Sequence, residues 1–206
     1  LIADNEGLCE YILTSYECGS VFIPYGGDQF VNIETNFEVF DDYLIPETYD
    51  FAMARSQIDN NIETILDSYI GLNRSIVFVS NWRSNEYGKS ILKKYKNHKN
   101  IFLIGPIYDV SKIKALHAKT ELYIHGHSAG GTNPVLVESM WSKLPIVAYD
   151  VSFNRYTTGG HALYFKNRSD LKEILKMGNY NLSIVNIDKM WEEANQKYVW
   201  KKIIKS

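Results

Sequence analysis

Residues 51 to 80 read FAMARSQIDNNIETILDSYIGLNRSIVFVS. A short apolar run, FAMA (51 to 54), leads into a segment where Ile62, Ile65, Leu66, Tyr69 and Ile70 recur at i, i+3, i+4, i+7 and i+8. That spacing lays one apolar stripe along a helix. The stretch then closes on IVFVS (76 to 80), too short for a helix and rich in β-branched residues. A strand, crossover helix and parallel strand need roughly 30 residues, which this stretch supplies. Asn60 and Glu63 are spaced as a capping box at the start of the helix.

Outward from this unit the alternation continues. Strands are read at IFLI (101 to 104), LYIH (122 to 125), IVAYD (146 to 150) and ALYF (162 to 165). Helices are read at 84 to 96 behind Ser84, 109 to 118 behind Asp109, 134 to 142, and 169 to 177 behind Ser169. The expected fold is α/β, a Rossmann-like doubly wound parallel sheet with the strand order 3-2-1-4-5-6. Residues 1 to 28 form a smaller unit, with a helix in EGLCEYILTSY, a strand in SVFIP and a sharp turn in YGGD. Residues 29 to 48 show no clean period and read as a linker. The sheet domain runs from 49 to 183. The tail from Ile184 to Ser206 has one long helical pattern, with Ile187, Met190, Trp191, Ala194, Tyr198 and Trp200 available to pack.

A net charge of -2 with 45% hydrophobic and 22% charged residues describes an ordinary soluble protein and argues against nucleic acid as a main partner. Cys9 and Cys18 match no metal or disulfide framework, so the chain reads as cytosolic with reduced thiols. No uninterrupted apolar run approaches the roughly 20 residues of a membrane span. LIADNEG has neither the regions of a signal peptide nor an initiator Met, which reads as a chain cut from a longer one.

In the expected strand order the first and fourth strands are neighbours at the switch point, where ligands of such sheets bind. Their following loops are RSQIDNN and GHSAGGTN. Arg55 opens the first loop, which ends at a helix N-terminus; a guanidinium there suits bidentate phosphate contacts, and the alternative is a surface pair with Asp59. In the second loop Gly130 and Gly131 allow close backbone approach, and Thr132 and Asn133 cap a helix that has Pro134 at its first position. Glu138, one turn in, is either a solvated helix residue or an acceptor for a sugar diol. His125 and His127 flank Gly126. They read as hydrogen-bonding to a ligand, as plain packing, or as two ligands of a metal completed by Asp150 and His161.

LIADNEG, IPYGGD, ARSQIDNNIETIL, FLIGPIYD, YIHGHSAGGTNPVLVES and SFNR, in that order along nearly the whole chain, resemble the donor-binding half of glycosyltransferase family 4. These are enzymes of the GT-B architecture, and the resemblance is closest to the bacterial rhamnosyltransferases of polysaccharide assembly. It implies a retaining transfer from a nucleoside diphosphate sugar, a dTDP- or UDP-sugar, without an obligatory metal or other cofactor. The acceptor would be a glycan or lipid-linked glycan, such as a capsule or O-antigen intermediate, at the cytoplasmic face of the inner membrane. Peripheral membrane association would come through the full-length protein. Residues 1 to 28 resemble the end of the acceptor-side domain, and the C-terminal helix resembles one that crosses back to it.

The resemblance places Arg55 on the donor diphosphate, Glu138 on the ribose, and Tyr108 where the base is recognised, either stacking on it or merely packing. Two positions depart from the pattern. Asn60 stands where a lysine usually follows the arginine, and Gly130 stands where a glutamate usually reads the sugar ring. The sugar is left to His127, the amides of Gly130, Gly131, Thr132 and Asn133, and the Asn133 side chain; a deoxy sugar such as rhamnose suits such a site. The expected catalytic set is Arg55, Glu138 and His127. Two other classes stay open: a non-catalytic nucleotide-sugar-binding or assembly module, and a metal-dependent hydrolase built on His125 and His127.

Overall fold

The computed structural model describes residues 1–177 and 185–205. At the N-terminus β1 (Ile2–Ala3), α1 (Glu6–Tyr16) and β2 (Val21–Phe22) form a small unit in which β1 and β2 pair in parallel. After α2 (Val39–Asp42), strands and helices alternate: β3 (Tyr49–Met53), α3 (Ile62–Tyr69), β4 (Ile76–Val79), α4 (Glu86–Tyr95), β5 (Ile101–Ile104) and α5 (Val110–Ala118). β6 (Thr120–His125), α6 (Pro134–Trp141), β7 (Ile146–Tyr149), α7 (Ser152–Thr157), β8 (Leu163–Phe165) and α8 (Arg168–Lys176) continue the pattern. α9 (Ile187–Lys197) and α10 (Trp200–Ile203) close the described chain.

β3 to β8 form one parallel sheet in the order β5-β4-β3-β6-β7-β8. Counted from β3 this is 3-2-1-4-5-6, so the chain is a Rossmann-like doubly wound α/β fold whose switch point lies between β3 and β6. Alternate residues of each strand feed two cores. Phe51, Val77, Val79 and Tyr123 pack in one, and Ala52, Ile76, Phe78 and Leu122 in the other. Burial on both faces explains why these strands read as continuous apolar runs. The start of β3 is fixed by Asp50, fully buried, which accepts hydrogen bonds from Arg74 and Tyr69.

Several local expectations shift. Helices α4 and α8 are capped by Asn85 and Asn167, one residue after Ser84 and two before Ser169. Asn85 is better placed because its amide works both ways, accepting from Gly88 N and donating to the Ser56 carbonyl, each at 2.8 Å. Asn60 and Glu63 form no capping box. The residue before α3 is Asn61, in the left-handed region, and its Nδ2 donates to the Gly126 carbonyl instead of capping its own helix. The stretch read as a linker buries Phe30 and Val39 in the core and contains a short 3-10 turn at Asp28–Asn32. α7 was not expected from the pattern.

The tail is two helices, not one. It breaks at Tyr198, which is buried, and whose carbonyl accepts from Gly27 N at 2.9 Å. Trp200 N then donates to Asp28 at 2.8 Å. Met190 and Ala194 of α9 enter the core, and Trp191 meets Trp141 of α6 edge-on. Ile184 and Ser206, the ends assigned to the tail, lie outside the described residues, as does the end of the sheet domain at 183.

Candidate functional site

A crevice of about 740 Å³ opens at the carboxyl ends of the strands around the switch point. Arg55, Asp59 and Asn60 line it from the loop after β3, Asn81 from the loop after β4, and Tyr108 from the loop after β5. His127, Gly130, Thr132 and Asn133 line it from the loop after β6, and Asp4 and Tyr25 from the N-terminal unit.

The loops after β3 and β6 are joined along their length. Ser128 donates from both its amide and its Oγ to the Asp59 carbonyl, each at 2.8 Å, and Asn61 Nδ2 donates to the Gly126 carbonyl at 2.8 Å. Ser56 N donates to Asn81 Oδ1 at 2.8 Å, which ties the loop after β4 to the same seam. The crevice floor is therefore a fixed surface, not a set of free loops.

Arg55 is exposed and has no ion pair among the described residues. The surface pair with Asp59 is not formed, because the Asp59 carboxylate faces His127 Nε2 at 3.9 Å. Asn60 lines the crevice, but its Nδ2 is committed to the Arg55 carbonyl at 3.0 Å, so it shapes the arginine loop. The lining from this loop stops at Asn60, and the first residues of α3 are not part of it.

Across the crevice Gly130 adopts φ 118 and lines the floor, whereas Gly131 does not line it and is packed against Asp4 and Leu8. The Thr132 hydroxyl donates to the Asp4 carbonyl and accepts from Asn5, which leaves its backbone to the crevice. Asn133 Oδ1 accepts from Val135 N at 3.0 Å and Pro134 follows at the first helical position, so α6 begins as its sequence implies. Asn133, Pro134 and Val135 all line the crevice, which faces the positive end of this helix.

Glu138 lies one turn beyond that lining. Its half-buried carboxyl has no hydrogen bond or ion pair among the described residues, and burial pushes its pKa up to about 7.

The two histidines do not converge. His125 is buried, with Nδ1 3.2 Å from the Tyr123 hydroxyl and Nε2 unpartnered, and burial pushes its pKa down to about 3. His127 is partly exposed at the crevice. Burial lowers its pKa, with Asp59 pulling it up and Arg55 pushing it down. The rings are 6.0 Å apart at 74°. Asp150, needed to complete a metal set, is ion-paired with Arg155 and Lys166. Among the described residues no three His, Cys, Asp or Glu side chains are grouped as a metal centre would require, so the geometry gives the hydrolase reading no support.

Tyr108 is 88% exposed and presents an open ring at the crevice mouth. The same ring borders a second groove lined by Trp82 and Leu103. Among the lining residues not singled out in the sequence are Asn81 and Asp4. Asp4 lies within LIADNEG, which carries part of the resemblance, but no role is read for it there.

No protein-family model matches the chain, and no curated protein matches it. Solved structures do. It is similar to the sucrose-phosphate synthase of Thermosynechococcus elongatus, with a TM-score of 0.77 at 14% identity over 98% of this chain and 55% of that one. It is similar to HepE of Anabaena, solved in complex with UDP, with a TM-score of 0.79 at 13% identity over 99% of this chain and 61% of that one. The C-terminal domain of the group 1 glycosyl transferase LpcC of Francisella tularensis aligns over 98% of its own length and 83% of this chain, with a TM-score of 0.62 at 15% identity. The shared fold is the Rossmann-like domain of GT-B glycosyltransferases, and the chain spans 55% to 61% of the length of the first two proteins.

Proposed function

We propose that this chain is the donor-binding half of a retaining glycosyltransferase that moves a sugar from a nucleoside diphosphate to a glycan or lipid-linked glycan. One observation carries the reading: an arginine with no ion pair among the described residues and the N-terminus of a capped helix line one crevice at the switch point. A fork-shaped cation, loop amides and the positive end of a helix dipole are groups a diphosphate uses, and here they are preorganised where charge grows on the leaving group. UDP in the HepE complex favours a UDP- or dTDP-linked donor. A partly deoxygenated hexose such as rhamnose fits a floor whose side chain is missing at Gly130. Polysaccharide assembly at the inner face of the cytoplasmic membrane fits this reading; no helix among the described residues is long and apolar enough to cross a membrane.

In this reading Arg55 and the backbone amides of the loop leading into α6 hold the diphosphate, Tyr108 offers a face to the base, and the acceptor attacks on the side the leaving group vacates. Because the chain spans only part of the similar proteins, a second reading follows for the chain taken alone: it binds the donor and does not transfer it.

Thermal unfolding in the presence of UDP, dTDP and their hexose conjugates tests the proposal. A ligand at 100 times its Kd should stabilise the fold by about 2.7 kcal/mol. No stabilisation by any nucleoside diphosphate would refute a donor site here.

Glu138 supplies a pH test. Its carboxyl has a folded pKa near 7 against an ordinary 4.5, so its protonated form favours folding and stability falls as pH rises through that window. A ribose diol donating to it favours the ionised form, so nucleotide binding should release a proton. At pH 6.5, calorimetry with a nucleotide sugar in buffers of different ionisation heat is expected to show up to about three quarters of a proton released per ligand bound. Glu138→Gln should release none. Equal release in both proteins would remove Glu138 from the site.

A further inference from the structure

We infer that the carboxylate of Asp4 reaches the crevice from the N-terminal unit and accepts hydrogen bonds from the hydroxyls of the donor's sugar, making it a specificity-determining residue. The inference rests on the donor-site reading above.

Asp4 lines the crevice together with His127 and Gly130. Its carboxylate lies against the glycine pair: a Cβ at position 131 would fall 1.9 Å from Asp4 Oδ1 and 2.8 Å from its Cγ. On the other side of the pair, a Cβ at position 130 would fall 3.1 Å from His127 Cε1. Gly130 thus leaves a bare floor beside the His127 imidazole, and Gly131, behind it, leaves the room that the Asp4 carboxylate occupies.

The backbone that presents this carboxylate is pinned. The Asp4 carbonyl accepts from the Thr132 hydroxyl. The next residue, Asn5, is 1% exposed; its Nδ2 lies 3.1 Å from Thr132 Oγ1, the Phe153 carbonyl and Thr157 Oγ1, and its Oδ1 accepts from Gly7 N at 2.8 Å. Such a frame holds the carboxylate in place before any ligand arrives, so little ordering entropy is lost on binding.

The carboxylate itself has no hydrogen bond or ion pair among the described residues, whereas the Asp4 carbonyl, Asn5 and Thr132 beside it are all bonded. An ionised carboxylate can only accept. Beside a crevice suited to a diphosphate it repels the ligand unless another part of that ligand brings donors. Sugar hydroxyls are such donors, and one carboxylate can take two neighbouring hydroxyls at once. Asp4 also sits just before α1, where a negative charge favours the helix, but Glu6 already fills that role in the first turn. A helix-dipole role alone would change stability and not ligand preference.

The test is calorimetric titration of the protein with UDP, dTDP and their glucose and rhamnose conjugates, reading the ratio of conjugate to diphosphate affinity. Asp4→Asn keeps the backbone acceptor and nearly the same shape. It should lower that ratio about tenfold for a conjugate that binds more tightly than its diphosphate, with diphosphate affinity held within about twofold. Asp4→Ala should do the same. An unchanged ratio in both variants, or a wild-type protein in which no conjugate binds more tightly than its diphosphate, overturns the inference while leaving the diphosphate site intact. A wild type that binds no diphosphate sinks the donor-site reading, and this inference with it.

Discussion

Arg55→Ala is expected to lower the affinity of the protein for UDP or dTDP about 100-fold, while leaving the stability of the empty fold within about 0.5 kcal/mol. Both halves follow from one fact, that the guanidinium has no ion-pair partner among the described residues. Nothing in the fold depends on it, so its removal leaves no buried charge behind. A bidentate contact to a diphosphate would depend on it entirely. Arg55→Lys keeps the charge and loses the fork, and should recover only part of the affinity. Calorimetry and thermal unfolding, with and without nucleotide, measure the two halves separately. A variant that binds as well as the wild type would move the diphosphate away from Arg55. A variant that is much less stable when empty would assign the arginine a structural role.

The sheet was legible because doubly wound topology turns a one-dimensional pattern into a three-dimensional order. Once Ile62 to Ile70 had a helical period between two β-branched runs, the strand order and the neighbouring loops after the first and fourth strands followed. The same rule located Arg55 and Gly130 in one crevice. What it could not supply was anything fixed by contact across the chain. Asp4 and Thr132 are 128 positions apart, and no local pattern marks a carboxylate as facing a loop at that distance. Capping was misread by a residue or two because serine and asparagine are close in capping preference, and the choice falls to tertiary partners such as the Ser56 carbonyl that Asn85 reaches. The tail read as one helix because its apolar spacing persists through Tyr198. The break comes from the Gly27 and Asp28 contacts, which lie outside that window.

Gly126→Ala is expected to destabilise the fold by about 3 kcal/mol and to weaken nucleotide binding in what remains folded. In His125-Gly126-His127 the eye goes to the imidazoles, yet the structure gives the glycine the tighter constraint. A Cβ at 126 would lie 2.1 Å from the Asn60 carbonyl oxygen, 2.7 Å from Ile65 Cδ1 and 3.1 Å from the Asn60 carbonyl carbon. Two of these atoms are backbone and cannot rotate away. Asn60 also holds the Arg55 carbonyl, and Asn61 Nδ2 is bonded to the Gly126 carbonyl, so the clash falls on the seam that sets the two crevice loops against each other. Relief requires the loops to part, which moves Arg55 away from the start of α6. The melting temperature should fall by about 10 °C for a domain of this size, with nucleotide affinity falling as well. If the tripeptide instead served to present two imidazoles to a metal, the methyl group would be tolerated and substitution of His125 or His127 would be the damaging change. A stable Gly126→Ala protein with full nucleotide affinity would therefore count against the seam as the element that builds the site.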